Sequence, residues 1–148
     1  GKMEDIAAED IVVSAQPNFL KWAGEGGLYD DRLGEQRRRQ TNQFRRVLDA
    51  EIPLAFGSDC MPMDPLFGIE QVTTAPEDSQ RLDTTAAVRA YTLGGAYAGF
   101  DEHRLGTIEP DKRGDLVVLD QSPWEQSDIG SLAVEMTIVD GSVVYQRF

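Results

Sequence analysis

"IPLAFGSD" (Ile52–Asp59) is apolar almost throughout, closes on a carboxylate and runs into a loop too rich in proline to continue it, Cys60–Pro65. Apolar on both faces, it reads as a strand covered on both sides, which belongs in a parallel sheet under helices. Upstream, "DIVVSAQPNFL" (Asp10–Leu20) carries a β-branched run that Pro17 terminates, a second strand followed by a loop. Between them Phe44, Val47 and Leu48 recur at helical spacing, predicting an amphipathic helix over about Arg38 to Ala50. Strand, helix, strand is a βαβ unit, and such units hold ligands at the carboxyl ends of their strands. Asp59 is therefore expected on the ligand-facing rim.

The remainder divides into three textures. "AGEGGLYDDRLGEQ" (23–36) reads as a long glycine-rich loop, and Cys60 to Gln80 as a turn-rich connection. "LDTTAAVRAYTLGGAYAGF" (82–100) predicts a helix capped by Asp83 or Thr84 and ended by Gly99, with Val88, Tyr91 and Ala98 near one face. After Phe100 come short β segments, "GTIEP", "GDLVVLD" and "VEMTIVDGSVVYQRF", the last split by an Asp140-Gly141 hairpin signal.

A chain of 148 residues holds one ordinary domain. It is too short for a whole (β/α)8 barrel of about 250 residues. The net charge of -12, with 26 acidic residues against 14 basic ones, argues against a nucleic-acid partner, because phosphate binding needs clustered cations. Arg37, Arg38, Arg39, Arg45 and Arg46 read as a solvated helix face with local ion pairs. An acidic surface this poor in lysine suits either a halophile or an ordinary acidic cytoplasmic protein. One cysteine makes no internal disulfide, no apolar run has membrane length, and the opening residues lack the pattern of a signal peptide. A cytoplasmic chain with neither membrane nor nucleic-acid partner is expected.

"PLAFGSD" with its proline-bearing loop, "TTAAVRAYTLGGAYAGF", "RLGTIEPDKRGDLVVLD" and "TIVDGSVVYQ", in this order and spacing, resemble the C-terminal portion of the amidohydrolase superfamily. "VVSAQPNFL" and "RLGEQRRRQTNQFRRVLDAEIP" extend the likeness over most of the chain, nearest to the formamide deformylase-like and exoenzyme-regulatory-protein-like branch. The resemblance implies an α/β fold: the last two βα units of a metal-dependent hydrolase TIM barrel, plus C-terminal strands of a composite β-sandwich. Residues 1–100 would supply barrel strands seven and eight with their helices, and residues 101–148 the sandwich part. Lys112–Asp115, "KRGD", stands where the family has a glycine-lysine-alanine-aspartate turn.

The same resemblance implies metal-assisted hydrolysis of an amide-like C–N bond in a small molecule, with a divalent metal, commonly zinc. Of the family's ligands only the strand-eight aspartate has a match, so Asp59 is the candidate metal ligand and catalytic residue. Gln16, Phe19 and Trp22, after the first strand, and Cys60, Met61, Met63, Leu66 and Phe67, after the second, are either substrate wall or core. His103, the only histidine, reads as a surface residue. One aspartate cannot hold a metal that needs at least three protein ligands. The chain is thus expected to be an inactive C-terminal piece of a larger enzyme, binding no metal alone and self-associating through exposed strand edges. The alternative is a non-catalytic binding or oligomerisation module that keeps the fold remnant.

Overall fold

The structure, a computed structural model, describes residues 2–9, 11–59 and 62–148, Lys2 in its backbone only. Helix α1 (Lys2–Ala8) leads into strand β1 (Val13–Ala15), which Pro17 ends by starting a 3-10 helix over Pro17–Trp22. Three short helices follow, α2 (Leu28–Leu33), α3 (Glu35–Arg38) and α4 (Phe44–Asp49), before strand β2 (Leu54–Phe56). Then come α5 (Pro65–Thr73), α6 (Thr84–Tyr91) and α7 (Leu93–Ala98). Strands β3 (Leu116–Leu119), β4 (Val134–Val139) and β5 (Ser142–Gln146) complete the order, with a 3-10 turn at Ile129–Ser131.

β1 and β2 pair in parallel, Val13 opposite Leu54 and Ala15 opposite Phe56. Every residue of β2 is buried, as a doubly covered parallel strand requires. The core gathers around it: Phe44 and Val47 from α4, Ile69 and Val72 from α5, Ala87 and Ala90 from α6, and Ile129 and Leu132 from the later part of the chain. Phe56 takes the edges of two rings, Phe44 at 5.1 Å and Tyr91 at 5.5 Å between centroids. The second sheet is antiparallel, in the order β3-β4-β5. Asp140 and Gly141 both have positive φ, 52° and 75°, as the tightest hairpin turn demands.

The connection after β2 is not merely turns. Asp64 caps α5, accepting from the Leu66 and Phe67 amides at 2.9 and 3.3 Å, and Pro65 takes the first helical position, where its missing N–H costs nothing. The predicted helix from Arg38 to Ala50 is interrupted: α3 stops at Arg38, Asn42 turns through φ 50°, and α4 starts at Phe44. Thr92, at φ -105° and ψ -85°, likewise splits the helix expected over 84–98, leaving Ala98 exposed and not on a buried face. Asp83 is the cap foreseen, accepting from the Ala86 amide, and Gly99 ends α7. The glycine-rich loop contains α2 and the start of α3, and "GTIEP" (106–110) forms turns and bends, with Arg113 N–H just after it reaching back to the Arg104 carbonyl.

Candidate active-site rim

Both strands of the parallel pair release their chains at one rim. On one side, Gln16 is half-buried and the 3-10 helix carries Phe19 and Trp22, also half-buried, stacked at 5.4 Å with Tyr29 edge-on to Trp22 at 6.5 Å. Phe19 is thus engaged in an aromatic cluster beside the rim. On the other side, Gly57 N–H still pairs with the Ala15 carbonyl, and two residues on Asp59 adopts a left-handed φ of 54°. Its backbone turns the chain away from the strand direction, and the residue is exposed. A non-glycine residue in that region is uncommon, with aspartate and asparagine the best tolerated. Cys60 and Met61 lie outside the described residues. Met63 is 85% exposed, which removes it from any apolar wall. Leu66 packs against the core and Phe67 is half-buried.

Asn18 and Gly68, which sequence reasoning passed over, tie this rim together with Tyr91. Asn18 is completely buried; its Nδ2 donates to the Pro62 carbonyl at 2.9 Å and the Asp64 carbonyl at 3.4 Å, and its Oδ1 accepts from the Tyr91 hydroxyl at 2.9 Å. Burial raises the Tyr91 phenol above its ordinary value, and the nearby charge of Asp64 adds to the effect. Gly68 has no side chain because a Cβ there would overlap both the Tyr91 hydroxyl and Asn18 Oδ1. An asparagine directly after a strand-ending proline was the available signal.

Arg38 corrects the reading of the arginine run as a wholly solvated face. It is 4% exposed, donating through Nε to Asp30 Oδ1 at 2.7 Å and through Nη1 to the Ala23 carbonyl at 2.9 Å, with Glu77 Oε1 at 3.4 Å. This guanidinium clamps the loop after β1 to the segment after α5. The Gly26 amide and then Arg38 hold the Asp30 carboxyl below its usual range. Arg39 with Glu35 and Arg45 with Asp49 are the exposed local pairs expected.

Lys112 of "KRGD" donates to the Glu102 carbonyl at 2.8 Å and the Thr107 hydroxyl at 2.6 Å, gathering the 101–109 segment. The Asp140 N–H donates to Asp115 Oδ1 at 2.7 Å, locking that turn to the hairpin. His103 is exposed in the segment after α7. Among the described residues no three His, Cys, Asp or Glu side chains stand together in a way that could hold a metal ion. No described helix is long and apolar enough to cross a membrane.

A parallel strand pair wrapped by helices, with an aspartate beyond its carboxyl end and an antiparallel sheet after it, is an α/β architecture, and comparison with known proteins narrows the class. Residues 2–145 match the amidohydrolase family, and the chain belongs to it. It is 28% identical over 159 residues to the putative amidohydrolase YtcJ of Bacillus subtilis, covering 98% of this chain and 30% of that protein. An amidohydrolase from Thermotoga maritima superposes with a TM-score of 0.68 at 24% identity, over 99% of this chain and 34% of the other. An adenosine deaminase from Xanthomonas campestris with bound zinc superposes with a TM-score of 0.66 at 23% identity, over 96% of this chain and 34% of the other. The chain therefore spans about a third of the length of the proteins it resembles.

Proposed function

We propose that the chain forms the C-terminal part of a cytoplasmic, metal-dependent hydrolase that cleaves a C–N bond of a small molecule, and that Asp59 is its contribution to the metal centre. β1 and β2 take the places of barrel strands seven and eight, residues 1–100 the barrel share, and residues 101–148 the share of a β-sandwich. The observation that carries this reading is the position of Asp59: at the carboxyl end of a buried parallel strand, on the rim where barrel enzymes keep their reacting groups, in a member of the amidohydrolase family.

Among the described residues no three His, Cys, Asp or Glu side chains make a metal site. Zinc centres need three or more protein ligands, so the remaining ones must come from other polypeptide, and no catalytic step is assigned to the isolated chain. Gln16 and Phe19, which follow β1, are proposed as substrate contacts, and so are Cys60 and Met61, which follow Asp59 in the sequence. A chimera in which this chain replaces the matched 30% of the B. subtilis relative tests the reading, through its bound metal and its hydrolysis of amides. Loss of metal with Asp59→Asn supports it; a folded chimera that never binds a divalent ion contradicts it.

An isolated copy is expected to self-associate through the second sheet, where Val117, Val118, Val143, Val144 and Tyr145 are 45% to 61% exposed. Concentration-dependent sedimentation is the expected result, and a monomer at every concentration would refute it.

A further inference from the structure

Asn18 uses its whole amide across three separate parts of the chain. The orientation is forced: turned over, the amide would set Oδ1 against two carbonyl oxygens and leave the Tyr91 hydroxyl with no acceptor. A side chain this buried and this fully satisfied is costly to replace, because each partner left behind becomes a desolvated group without a bond. Its location gives the network more than a packing role. Asn18 stands just beyond the end of β1, while Pro62 follows Asp59 by three positions in the sequence. Three peptide steps separate Asp59 from Pro62 and can reach no more than about 11 Å, so holding Pro62 confines Asp59.

We infer that Asn18 is a positioning residue: with Tyr91 as its support, it anchors the Asp59 loop to the end of β1 and so sets where the Asp59 carboxylate stands over the rim. This role rests on the reading of Asp59 as the functional group of the rim. Gly68 permits the arrangement, since a side chain there would push Asn18 and Tyr91 apart. Asp64 gains as well, because the carbonyl of this helix-capping residue receives the second Nδ2 bond.

The test is a nitroxide on Met63→Cys in a Cys60→Ser background of the full chain; position 63 is highly exposed and adjoins the anchored Pro62. With Asn18 in place the label is expected to show a restricted line shape that does not change with pH. Asn18→Leu should lose the restricted component. Asn18→Asp should behave differently at the two ends of a titration. As a neutral acid, the new carboxyl donates to the Pro62 carbonyl and accepts from Tyr91; ionised, it repels that carbonyl. Burial raises the pKa of such a carboxyl, so the label should be mobile at about pH 8 and restricted again at about pH 5.

Rescue by acid is not expected of a residue that only fills space. If Asn18→Leu fails to fold, the acid rescue of Asn18→Asp still decides. A label in Asn18→Asp that ignores pH overturns the inference. So does a restricted label in Asn18→Leu, or global unfolding of Asn18→Asp by circular dichroism where only local release is expected. No metal or substrate enters the measurement, so its failure leaves the reading of Asp59 standing, and failure of that reading leaves the anchor measurable.

Discussion

Glu70, on α5, lies against the 3-10 turn at Ile129–Ser131, close enough that a Cβ on Gly130 would strike its carboxylate. Burial raises its pKa, the hydrogen-bonded Asp128 carboxyl raises it further, and the Gly130 amide pulls the other way. A carboxyl whose folded-state pKa is raised holds its proton more tightly folded than unfolded. The associated stability is present below the ordinary glutamate range and is lost as pH rises through the raised value. Glu70→Gln keeps a neutral group there at every pH. Its melting temperature should therefore match the wild type in acid and exceed it increasingly as pH climbs toward neutrality; thermal scans across that range, with a gap constant or reversed, would refute the account. The pair was not legible in the sequence, because 58 positions separate Glu70 from Asp128 and only the fold brings them together. The place of Asp59 just beyond a buried strand was legible, since a lone carboxylate after a doubly apolar run is a local pattern, and its part in a metal centre is the proposal. The bonds of Asn18 and Arg38 were not, because their partners lie on Pro62, Asp64 and α6 for the one, and on Ala23, Asp30 and Glu77 for the other, positions that only the fold brings together.

At the scale of elements, strands and caps followed local rules that the chain displays openly. β2, the β4–β5 hairpin and the Asp83 cap all stand where apolar runs, an Asp-Gly pair and a capping residue point. α5 was hidden by prolines read as breakers, although Asp64-Pro65 is also how a helix begins. Asp64→Ala should cost about 1 kcal/mol by denaturant melt, the usual worth of a cap, and a neutral effect would show that tertiary contacts alone hold α5. The two halves of the helix over 84–98 reflect a tighter constraint. Val13 N–H binds the Pro53 carbonyl and Gly57 N–H binds the Ala15 carbonyl, so the alternating polar groups of Leu54 and Phe56 face away from β1. Gly94 of α7 packs on the Leu54 carbonyl so closely that any Cβ would overlap it. The strand edge expected to lie open is therefore covered by a helix at this point. Gly94→Ala should destabilise the chain by about 1–3 kcal/mol, the range of overpacking, and an unchanged melt would mean that α7 can move off the strand.

For the molecule as a whole, one core draws from both ends of the chain, since Ile129 and Leu132 join the cluster around β2. The long loop after β1 is secured to this body by Arg38, a cation at 4% exposure bonded to Asp30 and Glu77. Removing one partner of a buried pair leaves the others charged and unsatisfied, so Arg38→Met should lower the melting temperature and expose residues 24–37 to proteolysis. A variant as resistant as the parent would show that the clamp contributes nothing. Fold class was readable from strand, helix, strand and from family likeness; the ties made by Asn18 and Arg38 were not, because they depend on long-range side-chain pairs that leave no periodic trace. The central claim, that this chain supplies one carboxylate to a metal centre, is tested most directly by metal analysis of the folded chimera with the B. subtilis relative, with Asp59 intact and as Asp59→Asn. The account predicts bound divalent metal in the first and its loss in the second. Equal metal in both, or none in either, would contradict it.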